Sequence, residues 1–427
     1  MRILNGQPAE VYVRQLEERG SRLDEVEPRV RQIVDEVRRR GDQALVKYAR
    51  KFDGLGPKQS LRVSDSELRA AWTSAAAPLR KALRTAEKNI RQFCRWQKPK
   101  EWIRSSKGIS LGQLVRPLDS VGCYVPGGRF PLVSTLLMTV IPAQVAGVKS
   151  IRVVSPRPSV EVLAAAARLG VREFYRVGGA QAIAALAYGT ESIARVDKIV
   201  GPGNLYVTAA KKLVSFDCAI DMLAGPTEVA IVSASGNPTF IAADLVAQAE
   251  HDPETLAVFI TTSKKLAQSV VNEVELGGLE LSLSLPKGSP PLRENTVAAQ
   301  SLKDHGAVLI AASREQAFDW ANRIAPEHIT VERRDLLLVK NAGSVFVGDY
   351  SAQAAGDYAS GPNHVLPTAG AARFRGGLSV MDFVKLITVQ ELSAKGLRQL
   401  APTIETLAET EGLRAHADSI RVRCASA

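Results

Sequence analysis

The chain has 427 residues, more than one core can hold, so two to three domains are expected. Hydrophobic residues are 45% and charged residues 23%, and no apolar run of about 18 residues occurs, which argues against a membrane-spanning helix. The formal net charge of +11 points either to nucleic acid or to an anionic small molecule; aromatics at 5% count against base-stacking surfaces.

In chain order, the first 20 residues lack an apolar leader segment and read as a short arm or helix. Val26, Val30, Ile33, Val34 and Val37 then form a core-facing helical stripe. Gly41 ends that helix, Asp42 caps the next, and helical pattern runs to about Trp96. From about residue 115 short β-rich runs (VGCYV, SIRVV, EFYRV, VDKIV, CAIDM) alternate with Ala/Leu-rich helical runs, repeating about every 25 residues as βαβ units require. This predicts a doubly wound parallel sheet with ligands at the carboxyl ends of its strands. A second series follows: TEVAIVSAS, TLAVFITTS, GAVLIAAS, HITVE and GSVFVG, with helices PTFIAADLVAQAEH and SREQAFDWANRIA between them. The fold expected is therefore α/β, with two Rossmann-like doubly wound domains and small helical extensions at each end. Residues 348–377, rich in Gly, Ala and Pro, read as a long functional loop. The last 49 residues, from Ser379, read as a helical tail of the kind that packs on a partner subunit.

The cysteines Cys94, Cys123, Cys218 and Cys424 show no C-x-x-C pairing and read as reduced thiols of a cytoplasmic protein. Cys123, in VGCYVPGG, has no nearby His or Lys to activate it and reads as a small buried residue.

Glycines gather at predicted strand ends: YVPGG, VGGAQA, VGPGNLY and LAGPTEV. There Gly lets backbone approach a ligand, and the following helix N-terminus offers free N–H groups to an anion. None is a full G-x-G-x-x-G fingerprint, so any dinucleotide binds in a non-standard way. In LVAQAEHDPE, Gln248 and His251 share one helix face. That polar last turn is either solvated or half of a metal site. His364 lies in AAGDYASGPNHVLPTAG, seven residues after Asp357, and His416 lies in the tail five residues after Glu411. Gln248, His251, Asp357 and His416 together are mixed N/O donors suited to zinc. In IAPEHITVE, Pro326 is expected to hold Ala325 extended, so Glu327 and His328 stand where a helix gives way to a strand. They form either an ordinary connection or an acid–base pair.

The ordered run of YVPGG, PAQVAGV, RVGGAQAIAALAYGT, VDKIVGPGN, IDMLAGPTEV, DLVAQAEHDP, APEHIT, GDYASGPNHVLPT and EGLRAHADSIRVR resembles the histidinol dehydrogenase family nearly end to end. The resemblance implies a zinc-containing homodimer that oxidises L-histidinol to L-histidine through L-histidinal with two NAD+. It places zinc on Gln248, His251, Asp357 and His416, and the catalytic pair on Glu327 and His328. Substrate contacts fall on Thr227, Glu411 and His364 as well, and NAD contacts on Tyr124, Gln181 and Asn204. It implies an arm (1–20), a discontinuous α/β domain (21–123 and 227–378), a second α/β domain (124–226) and a tail (379–427) that completes the partner's site in a domain-swapped dimer. One departure is Arg129-Phe130 after YVPGG, where the family carries small residues and a Pro-Ser pair. A similar loop in related dehydrogenases makes a sulfonated propanediol the alternative substrate. A metal-dependent hydrolase with Glu327 as base and a basic nucleic-acid binder are the competing classes.

Overall fold

The computed structural model describes residues 1–20, 23–127, 132–280 and 296–425, without the side chains of 276–280. Its strands are β1 (Arg2–Asn5), β2 (Trp102–Ser106), β3 (Ile109–Pro117), β4 (Ser120–Tyr124), β5 (Ser150–Val154), β6 (Glu173–Tyr175) and β7 (Lys198–Val200). They continue with β8 (Ala219–Ile220), β9 (Glu228–Val232), β10 (Leu256–Thr261), β11 (Gly306–Ile310), β12 (His328–Val331), β13 (Ser344–Val347) and β14 (Val384–Leu392).

Two sheets are parallel: one of order β6-β5-β4-β7-β8 and one of order β1-β11-β10-β9-β12-β13. With β1 set aside, both follow the doubly wound pattern, each with its switch point beside its first strand. Every residue of β9 and β10 is buried, as strands covered on both faces require. Helices Val133–Ala146 and Gly179–Tyr188 are apolar almost all round because each lies between a sheet and an outer helical layer. The predicted strands and the helices between them are present as expected.

The expected boundaries need correction. Helices Leu23–Arg40 and Asp42–Phe52 pack on helices Gly179–Tyr188 and Leu205–Val214 of the five-stranded lobe. Helices Asp65–Ser74 and Ala77–Gln97 pack on its other face, against Val160–Arg168 and Val133–Ala146. Residues 23–123 therefore belong with 124–222 rather than with 227–378, because an apolar stripe says that a helix buries one face but not against which sheet. The N-terminal arm is β1 plus helix Gly6–Glu17, with β1 in parallel register on β11. The tail is not all helix: β14 pairs antiparallel with β3, which also pairs with β2, and helices Ala394–Thr410 and Arg414–Ala425 follow. Val365 in the long loop, and Leu378, Val380 and Phe383 just after it, return to the core of the five-stranded lobe.

Candidate active site

The carboxyl edge of the five-stranded sheet faces the amino edge of the six-stranded sheet, and a cleft of about 180 Å³ lies between them. Gly201, Pro202, Asp221 and Met222 contribute from the first edge, and Thr227, Glu327 and His328 from the second. Gln248, His251, Asp357 and His364 complete the polar wall.

Two adjacent strands set the central geometry. His328 stands opposite Val229 in the β9–β12 register, so the residues just before both strands meet. Ala325, contrary to expectation, is left-handed (φ 49°, ψ 61°). It closes helix Arg314–Ile324 by donating to Ala321 O, and Pro326 then forces the chain out of helix into β12. Glu327 Oε2 accepts from Thr227 Oγ1 and, at 3.0 Å, from the Glu228 N–H. Burial is the main cause that raises the Glu327 carboxyl, opposed by His328, Thr227 and the Glu228 N–H. His328 Nδ1 lies 3.2 Å from Glu228 O and 3.7 Å from Glu327 Oε2. Its Nε2 lies 3.4 Å from Asp357 Oδ1 and makes no hydrogen bond among the described residues. Burial alone would push the imidazole down, but the Glu327 and Asp357 carboxylates raise it to about 9. Burial likewise opposes ionisation of Asp357, yet His328, with His364 and His251, holds it below the usual range.

Gln248, near the end of helix Pro238–Ala249, donates through Nε2 to Thr227 Oγ1, which ties it to the Glu327–His328 pair. His251 Nδ1 lies 3.1 Å from Gln248 O, leaving Nε2 as its outward donor. His364 Nδ1 lies 2.8 Å from Asp357 O, which fixes the short helix Gln353–Tyr358 that carries Asp357. Three of the four expected zinc ligands thus line one cleft. The fourth, His416, and Glu411 are exposed on the tail and line no part of it. Among the described residues no three His, Cys, Asp or Glu side chains form a metal-binding group. The expected set places only His251 and Asp357 of those residue types in this cleft, since Gln248 is an amide and His416 is expected from a second subunit.

The expected NAD residues lie along the carboxyl edge of the five-stranded sheet, outside the cleft lining. Tyr124 is buried, and its hydroxyl accepts from the Gly179 N–H at 3.1 Å. Gln181 Nε2 donates to Asp53 Oδ2 at 3.0 Å. Asn204 caps helix Leu205–Val214, accepting from Tyr206 and Val207. Cys123 is buried, and burial pushes its thiol up to about 12, which fits a core residue and not a nucleophile. Arg129 and Phe130 lie outside the described residues.

Three elements of the site carried no sequence signal. Asp53 follows a helix and precedes a glycine, so it reads as a turn residue. Lys211 and Asp221 form a fully buried ion pair at the cleft, and both also bond the Gly201 turn, through its carbonyl at 3.0 Å and its N–H at 2.7 Å. Arg19 Nε and Nη2 donate to the two oxygens of Glu228 at 2.9 and 2.8 Å, directly behind the Glu327–His328 pair.

Two doubly wound lobes closing on a carboxylate–imidazole pair define a two-lobed α/β enzyme. The family model of histidinol dehydrogenase matches residues 16–424. Histidinol dehydrogenases of Methanothermobacter thermautotrophicus and Geobacter sulfurreducens are 45% and 44% identical to this chain. The alignments cover 94% and 93% of this chain, and the same shares of the two relatives. The crystal structure of histidinol dehydrogenase from Elizabethkingia anophelis superposes with a TM-score of 0.91 at 36% identity, covering 100% of this chain and 98% of that one. The chain belongs to the histidinol dehydrogenase family. These relatives give no support to the sulfonated-diol alternative.

Proposed function

We propose that this protein oxidises L-histidinol to L-histidine through L-histidinal, reducing two NAD+. The observation that carries this reading is His328 Nε2, a buried imidazole nitrogen at the cleft that makes no hydrogen bond among the described residues, with the Asp357 carboxylate 3.4 Å away, and so can meet a substrate hydroxyl. In the first half-reaction the carbinol hydride leaves to NAD+ and the hydroxyl proton passes to His328 in its neutral form, whose share grows as pH rises toward about 9. In the second, Glu327 takes a proton from water as the oxygen adds to the aldehyde, and the hydrate gives up the second hydride and a proton. Thr227 and the Glu228 N–H engage only Oε2, which leaves Oε1 for the water.

Gln248, His251 and Asp357 would hold zinc with His416 of a second subunit. The donor chemistry fits: amide and carboxylate oxygens with an imidazole nitrogen suit a borderline cation, and His251 Nε2 and the Asp357 carboxylate face the same cleft. Bound there, zinc would anchor the substrate's imidazole and amine and polarise its oxygen. The Gln248 amide is held by Thr227, and Asp357 by the His364 contact to its backbone, so both are oriented in advance.

The homodimer is part of the same reading. Trp102, Ile103, Leu111, Leu386 and Ile387 are exposed on the three-stranded sheet, as are Leu407 and Leu413 on the tail. Such apolar surface suits burial against a second copy, which would bring Glu411 and His416 to the partner's cleft. NADH absorbance at saturating NAD+ tests the function. L-histidinol should give a rise that a zinc chelator abolishes. A rise only with a sulfonated diol, or none with any alcohol, would overturn the proposal.

A further inference from the structure

Three hydrogen bonds converge on the glycine turn that opens helix Gly179–Tyr188. The Gly178 N–H and the Gln181 side-chain amide both donate to Asp53 Oδ2 at 3.0 Å, and the Gly179 N–H donates to the Tyr124 hydroxyl. The turn has no slack. A Cβ at Gly178 would stand 2.5 Å from Pro156, and Gly179 is left-handed (φ +61°) with the Gln181 amide oxygen 2.8 Å from where a Cβ would be. Asp53 is 7% exposed and comes from the end of helix Asp42–Phe52, which packs on helix Gly179–Tyr188.

A helix N-terminus attracts an anion because its first N–H groups lack partners and the helix dipole is positive there. At this turn that place is taken. The Asp53 carboxylate and the Tyr124 hydroxyl use the two N–H groups that a cofactor phosphate would otherwise seek.

We infer that Asp53 is a positioning residue for the dinucleotide: it occupies the helix N-terminus as a resident anion and holds the Gln181 amide in the orientation in which it meets the cofactor. The inference rests on the reading of Gln181 as an NAD contact. A free glutamine amide samples several rotamers, whereas a charge-assisted hydrogen bond holds one. Asp53 therefore acts on cofactor affinity and not on the chemical step.

Full-length Asp53→Ala, Asp53→Asn and Gln181→Ala enzymes are compared by steady-state NADH formation, each with a thermal melt. In Asp53→Ala the KM for NAD+ should rise about tenfold or more, while kcat stays within about threefold and the KM for L-histidinol within about twofold. Asp53→Asn keeps one oxygen that can accept from both donors and should stay within about threefold of the native KM for NAD+. A purely structural role would lower the melting temperature without this split and without rescue by Asn. Should Asp53→Ala fail to fold, Asp53→Glu replaces it, since one added methylene displaces the carboxylate, and the same rise is expected. A KM for NAD+ within about twofold of native in the Ala or Glu variant overturns the inference. If Gln181→Ala then shows a rise, the inference alone falls; if it shows none, the reading of Gln181 falls with it.

Discussion

Glu228 opens β9 behind the Glu327–His328 pair and is 3% exposed. Arg19 donates to both its oxygens, and the Ala369 N–H adds a third bond at 2.9 Å. Burial outweighs this support and, with Glu327 close by, pushes the carboxyl from 4.5 up to about 7. The folded state therefore holds the proton more tightly than the unfolded chain does. By linkage, the stability this group contributes is full below about pH 4.5 and is lost as pH rises through about 7. A tenfold change in proton affinity corresponds to about 1.4 kcal/mol, so the loss is about 3 kcal/mol. Glu228→Gln keeps the shape of the protonated carboxyl at every pH and so lacks this dependence. Urea unfolding of the native and variant proteins at about pH 5 and about pH 8 measures it. The stability of the variant relative to the native protein should increase by about 2–3 kcal/mol from the acid to the alkaline condition. A difference constant within about 0.5 kcal/mol would refute the raised carboxyl. A change of opposite sign would mean that the Arg19 pair outweighs burial.

His328→Asn should lower kcat by about 10²–10⁴-fold while zinc content and melting temperature stay near native; an unchanged kcat removes His328 from the reaction. His416→Asn should lose bound zinc, read by atomic emission, together with rate, and retention of both would sink the cross-subunit ligand. Mixing the inactive His328→Asn and His416→Asn proteins under exchange conditions should restore activity, because one site of each mixed dimer is then wholly native; no recovery would place His416 in its own chain's site. Lys211→Met leaves the Asp221 carboxylate buried without its cation and should cost about 3–5 kcal/mol of stability in urea unfolding. A cost below about 1 kcal/mol would show that the Gly201 and Met222 N–H groups suffice for Asp221.

Both lobes explain why the cleft lies where it does. At the switch point of the six-stranded sheet, the carboxyl edge between β9 and β12 leaves only about 30 Å³. There Glu332 already accepts from Ser233, Ser235 and the Ala234 N–H, so that crevice is filled by the protein itself. The larger cleft lies at the opposite, amino edge, where Thr227, Glu327 and His328 meet. The larger cleft thus lies at a carboxyl edge for one sheet and at an amino edge for the other.

The order of strands and helices was legible from residue to residue. Period-two and period-3.6 patterns and strand-end glycines are local properties, set by backbone sterics and by which face each segment must bury; the expected cap Asp42 is instead the first helical residue after Gly41. That Glu327 and His328 stand at a helix-to-strand junction was legible from Pro326, although Ala325 before it is left-handed and not extended. Partnership across the chain was not. That Leu23–Arg40 covers the five-stranded sheet, that β14 joins β3, that Asp53 meets Gln181 128 residues away and that Arg19 reaches Glu228 209 residues on are decided only when the lobes close. The physical reason is that an ion pair or hydrogen bond depends on distance in space, and a single Asp or Arg shows no periodicity to reveal its partner.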